Sequence, residues 1–256
     1  MNKNISIALL PIPVFILVFC SGSVSVDNHK NNTITASNNI NNIVVVELFT
    51  SQGCSSCPPA DRLLGTYANR ADIAALSFHV DYWNRLGWKD PFSDHLYSER
   101  QQNYAFSSGF DVYTPQVIIN GEKEMVGSEE NKIAATIKQF QKQQASSKIM
   151  IDELKTDNNK VSVTYSLIGK FNNSVVNVAL VQNKSTTSIK AGENNGVTLS
   201  NYNVVRNFKT INSFSAENNM ATIDLMPGID KKDLSVILFL QDMSSNKIYA
   251  AAKSAL

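Results

Sequence analysis

The stretch VVVELFTSQGCSSCPPAD, residues 44–61, holds the two cysteines on which the predicted fold depends. Its first six residues are apolar apart from one glutamate and rich in β-branched side chains, which predicts a strand buried on both faces. Cys54 and Cys57 follow with two serines between them, and two prolines come next. Cysteines in this spacing form a redox pair, a pair of metal ligands or a structural disulfide.

The composition limits the size of the fold and the kind of partner. The chain has 256 residues, 43% of them hydrophobic, and a formal net charge of +1. This length allows one large or two small globular domains. A charge so close to zero indicates neither a nucleic-acid partner nor an acidic one.

The N-terminal residues have the order of an export signal. Residues 1–23 contain one lysine, then an apolar run, then small residues, which predicts a signal peptide cleaved after Ser23. Cleavage before Cys20 would instead give a lipoprotein, and membrane attachment is expected only in that case. Residues 24–42 are rich in asparagine and predict a disordered tether. We therefore expect an exported protein, periplasmic or extracellular.

Export changes what the two remaining cysteines can do. Compartments outside the cytoplasm permit disulfides, so Cys54 and Cys57 can pair there. A disulfide between residues three positions apart closes too small a loop to stabilise a fold by much. The spacing therefore favours a chemical role over a structural one.

The order of predicted elements divides the mature chain into two regions. A strand at 43–49, a helical pattern within 61–70 that ends near Asn69 and a strand at 73–80 predict a parallel βαβ unit. An aromatic-rich loop and a helix beginning near residue 93 or 94 follow. Two strands joined at Asn120-Gly121 predict a hairpin, and 131–143 predicts an amphipathic helix. Beyond residue 146, alternating segments between turns are typical of an all-β sandwich.

This order of elements resembles the thioredoxin fold. The segments ELFTSQGCSSCPPAD, FHVDYWNRLGWKDPF, VYTPQVIING and GENNGVTLSNYNVVR together resemble a secreted thioredoxin-like bacterial family, domain of unknown function 1223. Asn201 departs from that family, in which histidine is often found at this position. The resemblance implies an α/β class. Residues 43–145 would form a thioredoxin-like domain that contains a helical insertion, and residues 146–256 would form a β-sandwich-like domain packed on it.

The residues themselves predict how the cysteines would react. With Cys54 at the N-cap of the helix, free backbone N–H groups and the helix dipole would stabilise its thiolate. Cys54 is then the attacking cysteine, and Cys57 resolves the mixed disulfide. The thioredoxin resemblance implies that Thr114-Pro115 is a cis peptide that faces the cysteines, holds an extended substrate and prevents a metal from bridging the thiolates.

Other polar and aromatic residues are candidates around this pair. Glu47, His79 and Asp81 are candidate proton carriers, although Glu47 can equally face outward and the other two can simply fix the following loop. Tyr82, Trp83 and Trp88 are candidate substrate-binding residues, with packing of the inserted loop as the alternative. The Gly/Asn-rich segment from residue 192 is a plain connection or a cover over the cysteines, and we favour the plain connection.

The sequence predicts an exported thiol-disulfide oxidoreductase. Its substrate would be a protein or small-molecule thiol or disulfide, and it would need no cofactor besides the Cys54–Cys57 disulfide. Two alternatives stay open: a partner-binding module on a thioredoxin scaffold, and a copper- or zinc-binding protein that uses both cysteines and His79.

Overall fold

Eleven strands and three α-helices make up the part of the chain that this computed structural model describes, which is Met1, 43–157 and 159–256. The strands are β1 Val44–Thr50, β2 Ile73–His79, β3 Gln116–Ile119, β4 Lys123–Val126, β5 Ser147–Asp157, β6 Lys160–Gly169, β7 Ser174–Ser188, β8 Thr198–Ile211, β9 Asn219–Asp224, β10 Leu234–Asp242 and β11 Ile248–Ala255. The helices are α1 Pro58–Ala68, α2 His95–Ser108 and α3 Glu130–Gln141, with 3₁₀ turns at Asn84–Leu86 and Lys231–Asp233.

The individual elements predicted for the first region are confirmed. Strands β1 and β2, which precede and follow α1 in the sequence, pair in parallel, as the βαβ pattern predicts. Strands β3 and β4 form a hairpin whose turn residues Asn120 and Gly121 have φ of 48° and 69°. Asparagine and glycine tolerate positive φ, which a two-residue hairpin turn requires.

The predicted fold class is wrong. We expected an α/β thioredoxin-like domain followed by a sandwich-like domain packed on it. Instead, one mixed sheet of eight strands runs in the order β11-β10-β7-β8-β2-β1-β3-β4, and β5, β6 and β9 form a second, three-stranded sheet. The described chain is therefore mostly β structure. The domain limits 43–145 and 146–256 remain a prediction.

The two halves of the large sheet meet where β8 lies beside β2. Strands β7 and β8 form a long antiparallel hairpin, and β8 pairs in parallel with β2 at Ser77 and Val204. This pairing gives β2 a second partner, which removes an exposed sheet edge. The alternating sequence predicts that β7 and β8 are strands, but it does not specify which strand they join.

Alternate residues of β1 face two different cores. Val44, Val46 and Leu48 pack with α1 and α3, whereas Val45 and Phe49 pack on the other face with residues of α2. Glu47 belongs to this second face because successive strand residues point in opposite directions. A third core lies between the three-stranded sheet and strands β7 and β10. The alternation in β1 decides which polar residues can reach the cysteine-bearing helix.

The N-terminal predictions lie outside the described residues. These predictions are the signal peptide at 1–23 and the tether at 24–42. Within the described part of the chain, we find no helix with the length and apolar character needed to span a bilayer.

Candidate functional site

Cys54 and Cys57 form a disulfide immediately before α1, with their Cα atoms 5.4 Å apart. The predicted N-cap is wrong by three residues, because Cys57 caps the helix and Cys54 lies in the preceding turn. Pro58 and Pro59 occupy the first two helical positions, where the backbone N–H that proline lacks would have no intrahelical partner. The backbone carbonyl oxygen of Cys57 therefore accepts the first helical hydrogen bonds, and Cys54 sits one turn further out.

Two hydroxyl groups lie close to the sulfur of Cys54. The hydroxyl of Thr114 donates to Cys54 Sγ at 3.4 Å, and the Ser56 hydroxyl lies 3.3 Å from the same sulfur. The Thr114-Pro115 peptide is cis, as the thioredoxin resemblance implied. Indole Nε1 of Trp83 donates to the Thr114 hydroxyl at 2.8 Å, which fixes that hydroxyl beside the sulfur.

The two tryptophans predicted to bind substrate lie against the cysteine segment. Trp88 Nε1 donates to Oε1 of Gln52 at 3.2 Å, two residues before Cys54. Trp83 reaches the site through Thr114, as described above. Tyr82 instead donates to Gln101 at 3.1 Å. Burial raises the pKa of Tyr82 to about 12, so its phenol stays protonated.

The connection between β7 and β8, residues 189–197, lies over the cysteines, and we call it the covering loop. Asn194 is buried and donates its amide to the carbonyl oxygens of Gln52 at 2.8 Å and Cys54 at 2.9 Å. The carboxylate of Glu193 accepts the backbone N–H of Ser55 at 3.1 Å. The interpretation that we favoured from the sequence, a plain connection, is wrong, because this loop binds the cysteine segment directly. With the loop in place, neither cysteine has any exposed surface.

His79 lies beneath the cysteine segment, fully buried and paired with Asp90. Its Nδ1 is 2.7 Å from Asp90 Oδ2, and the same carboxylate oxygen accepts the backbone N–H of Gln52 at 2.7 Å. Burial by itself would lower the pKa of His79, but the charge and hydrogen bond of Asp90 raise it above its ordinary value. The charge of His79 in turn keeps the pKa of Asp90 low despite burial.

Asp61 is a buried carboxyl group of the site that was not among the residues predicted from the sequence. It lies on α1, one turn after Cys57, and its side chain is fully enclosed. Burial raises its pKa to about 6, and the nearby charge of His79 opposes part of that rise. The carboxyl group of Asp61 therefore changes its protonation state much closer to neutral pH than that of an ordinary aspartate.

Glu47 is part of a buried ion pair on the opposite face of the sheet. Arg100 Nε donates to its carboxylate at 2.7 Å, and Tyr104 donates to the other oxygen at 2.5 Å. The guanidinium also lies over the rings of Phe78 and Phe208, at 5.5 and 5.0 Å. Because α1 packs on the other face, Glu47 is not positioned to exchange a proton with Cys57.

Asp81 also binds groups other than the cysteines. It lies beyond the end of β2, where it accepts hydrogen bonds from Ser98 at 2.5 Å and from His95 at 3.2 Å. These partners fix the start of α2 against the preceding loop. Of the three predicted proton carriers, His79 alone lies on the same face of the sheet as the cysteine-bearing helix.

A copper or zinc site built from Cys54, Cys57 and His79 has no support in the described residues. The two sulfurs are bonded to each other, so neither is a free thiolate that could bind a metal. Among the described residues, we find no group of three or more His, Cys, Asp and Glu side chains arranged to hold a metal ion.

One sequence signal could have identified Asp61. Cys57, Asp61, Leu64 and Ala68 follow one another at spacings of four, three and four, which is one stripe of a helix. A carboxylate in a stripe of otherwise buried residues is unusual unless it has a role. Asp90, Asn194 and Asn201 lie in segments that carry the family resemblance, but no local pattern indicated their contacts. Asn201, for example, accepts a hydrogen bond from the side-chain amide of Gln52 at 3.0 Å, across 149 positions.

Two solved structures resemble the chain over most of its length. The X-ray crystal structure of a protein from Agrobacterium tumefaciens is 29% identical, with a TM-score of 0.66, and the match covers 84% of this chain and 94% of that one. HBP35 of Porphyromonas gingivalis is 15% identical, with a TM-score of 0.61, and covers 84% and 76%. At 15% identity the second likeness concerns the fold alone. Each match covers 84% of this chain, so it extends over both of the regions predicted at 43–145 and 146–256.

The fold and the site define a protein with a mixed β-sheet and a disulfide at the start of a helix. The family described as "Protein of unknown function (DUF1223)" matches residues 45–241, and the chain belongs to this family. The predicted membership is thus confirmed, whereas a thioredoxin-like character is not. No curated protein matches the sequence.

Proposed function

We propose that this protein is a thiol-disulfide oxidoreductase whose reacting groups are Cys54 and Cys57. The observation that carries the proposal is their disulfide, held before α1 with hydroxyl groups at one sulfur. Residues three positions apart close a small loop, so this disulfide contributes little stability by restricting the unfolded chain. A redox role gives a reason for the pair that stability does not.

Cys54 is the attacking cysteine in this proposal. The hydroxyls of Ser56 and Thr114 lie 3.3 and 3.4 Å from its sulfur. Hydroxyl donors stabilise a thiolate more than a thiol, so they favour the nucleophilic form of Cys54. Cys57, at the helix N-cap, then attacks the mixed disulfide and releases the substrate.

Access to Cys54 requires the covering loop to move. The loop binds the carbonyl oxygens of Gln52 and Cys54 through Asn194, and the N–H of Ser55 through Glu193. Ser55 and Ser56 are exposed, so the tip of the cysteine segment is already at the surface. The substrate class that fits is a small thiol or disulfide, or a cysteine on a flexible protein segment.

The proposal includes an exported location, periplasmic or extracellular. The disulfide supports it, because disulfides persist in oxidising compartments and are rare in the cytoplasm. Outside the cytoplasm the protein would exchange electrons with protein or small-molecule thiols, and it would need no cofactor besides its own disulfide.

Trapping the mixed disulfide tests the proposal. Glutathione disulfide is added to the reduced Cys57→Ser and Cys54→Ser variants, and the adducts are identified by mass spectrometry. Cys57→Ser should accumulate one glutathione on Cys54, because the resolving thiol is gone, and Cys54→Ser should react far more slowly. If neither variant forms an adduct while folded, the proposed function is wrong. Faster reaction of Cys54→Ser would reverse the assigned roles.

A further inference from the structure

Asp61 and Cys57 lie on the same face of α1, one helical turn apart. The backbone N–H of Asp61 donates to the carbonyl oxygen of Cys57 at 3.1 Å, and both side chains are buried. Side chains four positions apart on a helix are neighbours. Any charge that forms on the sulfur of Cys57 is therefore felt by Asp61.

The Thr50 hydroxyl and the Asn201 amide face the Asp61 carboxyl group and lower its pKa, yet several buried polar atoms here make no close hydrogen bond within the described part of the chain. They are both carboxylate oxygens of Asp61, the hydroxyl of Thr50, Nε2 of His79 and the amide nitrogen of Asn201. Thr50 and His79 lie side by side in the register of β1 and β2. Buried polar groups of this kind are satisfied by ordered water, which typically makes about three hydrogen bonds.

The charged groups that surround Asp61 come from every element packed on it. His79 of β2 lowers its pKa and Asp90 of the following loop raises it, while burial is the largest influence. Arg206 of β8 lowers the pKa of His79. Glu47 of β1 faces the opposite core. The result is one carboxyl group that changes its charge near pH 6.

We propose that Asp61 exchanges a proton with Cys57 each time the Cys54–Cys57 disulfide opens or closes, through water held between Asp61, Thr50, His79 and Asn201. The His79–Asp90 pair forms the far side of this water site. The inference rests on the proposed function, because it concerns the second half of the same thiol-disulfide exchange.

Opening of the disulfide uses Asp61 as the proton donor. An external thiolate attacks Sγ of Cys54, a new S–S bond forms, and the electron pair of the broken bond stays on Sγ of Cys57. Neutral Asp61 gives its proton to that sulfur through water and becomes a carboxylate. A second external thiolate then attacks the external sulfur of the mixed disulfide and frees Cys54 as a thiolate, so two external thiols become one disulfide.

Closing of the disulfide uses the same group as the base. With a substrate sulfur bonded to Cys54, the Asp61 carboxylate accepts the proton of the Cys57 thiol. The resulting thiolate attacks Sγ of Cys54, the Cys54–Cys57 bond forms, and the substrate leaves as a thiolate. Asp61 then loses its proton to solvent, which restores the starting state.

The two halves of the exchange can be timed separately with dithionitrobenzoate, an aromatic disulfide whose released thiolate is coloured. Reduced protein should release one coloured thiolate in a phase that depends on probe concentration, as Cys54 attacks. It should release the second in a phase that does not, as Cys57 closes the disulfide. We compare the wild type with Asp61→Asn, Asp61→Glu and the control Asp81→Asn between pH 5 and 8.

Asp61→Asn should slow the second phase by about a hundredfold at pH 7, the usual scale of a lost general base. The wild-type second phase should rise with pH and level off above an inflection near pH 6. The variant should lose that inflection, because no carboxyl group then titrates beside Cys57. The first phase should not change, Asp61→Glu should recover most of the rate, and Asp81→Asn should match the wild type.

The inference is overturned if Asp61→Asn keeps the wild-type rate and pH profile in the second phase. It is also overturned, without any variant, if the wild-type second phase shows no inflection between pH 5 and 7. A wild-type protein that shows neither phase would instead contradict the proposed function. The two failures are therefore distinguishable.

Discussion

Asn194 and Cys54 are 140 positions apart in sequence, yet the side-chain amide of Asn194 donates to the carbonyl oxygen of Cys54 at 2.9 Å. The same amide donates to the carbonyl oxygen of Gln52 at 2.8 Å. The buried side chain of Asn194, in the β7–β8 connection, thus binds two carbonyl groups of the turn that carries Cys54. This contact makes access to Cys54 depend on a loop from the distant half of the sheet.

Replacing Asn194 should make the disulfide easier to reach. Asn194→Ala removes two hydrogen bonds that each contribute about 1 kcal/mol. The covering loop should then open between about ten and thirty times more often, since about 1.4 kcal/mol corresponds to tenfold. We expect reduction of the disulfide by dithiothreitol, followed by thiol alkylation, to accelerate by that factor.

The matched control for this prediction is the next residue. Asn195 lies in the same loop but its side chain is exposed. Asn195→Ala should therefore leave the rate of reduction within about twofold of the wild type, since exposed substitutions change little. Equal rates for the two variants would show that the loop does not control access.

Glu47 should prove to be important for stability and not for thiol exchange. Glu47→Gln leaves Arg100 buried beside a neutral partner, and breaking a buried ion pair costs about 3–5 kcal/mol. We expect urea unfolding to show this loss, while both phases of reaction with dithionitrobenzoate stay unchanged. The double variant Glu47→Leu/Arg100→Met should be less destabilised than Glu47→Gln. A selective loss of the second phase in Glu47→Gln would return Glu47 to the role of proton carrier.

Gly65 tests the packing of the two halves. A Cβ at this position would lie 2.6 Å from the ring of Tyr202 on β8. In an exposed helix, glycine to alanine gains about 1 kcal/mol. Here Gly65→Ala should instead lose about 1–3 kcal/mol through overpacking. In a Tyr202→Ala background the same change should become neutral or stabilising by thermal unfolding. Additive effects of the two substitutions would contradict the contact between α1 and β8.

Asp61 should make the oxidised protein less stable as the pH rises. Its pKa is raised from 3.8 to about 6 by burial, so the folded state binds the proton more tightly than the unfolded state. The penalty is absent below about pH 4, grows through pH 6 and then stays constant, at about 3 kcal/mol for two pKa units. Asp61→Asn should therefore be more stable than the wild type at pH 7.5 and not at pH 4. Urea unfolding at the two values checks this, and an equal difference at both would contradict it.

The local elements were predictable because their signals are local. The buried strand before the cysteines, the Asn120-Gly121 turn and the helices follow from residue periodicity and turn chemistry. The cysteine pair and Thr114-Pro115 were also identified from sequence, and the structure brings them together. The N-cap was missed although the sequence contains its signal: proline is favoured at the first helical position, so Pro58 and Pro59 indicate a cap at Cys57.

The fold class and half of the site were not predictable, because they depend on one long-range pairing. When β8 joins β2, it brings Asn194 and Asn201 to the cysteine segment and encloses Asp61. Asp61 can be taken for an ordinary acidic residue in the first turn of a helix, where the dipole favours it, and its stripe with Cys57, Leu64 and Ala68 is the one local sign that it faces inward. Its burial follows from a strand about 140 positions away, and no short segment records that partnership.

The most direct test of the central claim is a redox titration of the folded protein against glutathione. The ratio of thiol to disulfide is varied, the free cysteines are alkylated, and the modified fractions are read by mass spectrometry. We predict one reversible transition of Cys54 and Cys57 that fits a two-electron couple and is abolished in Cys54→Ser. If glutathione leaves the disulfide intact in the folded protein and it reduces only when the chain unfolds, the disulfide is structural and the proposed function is contradicted.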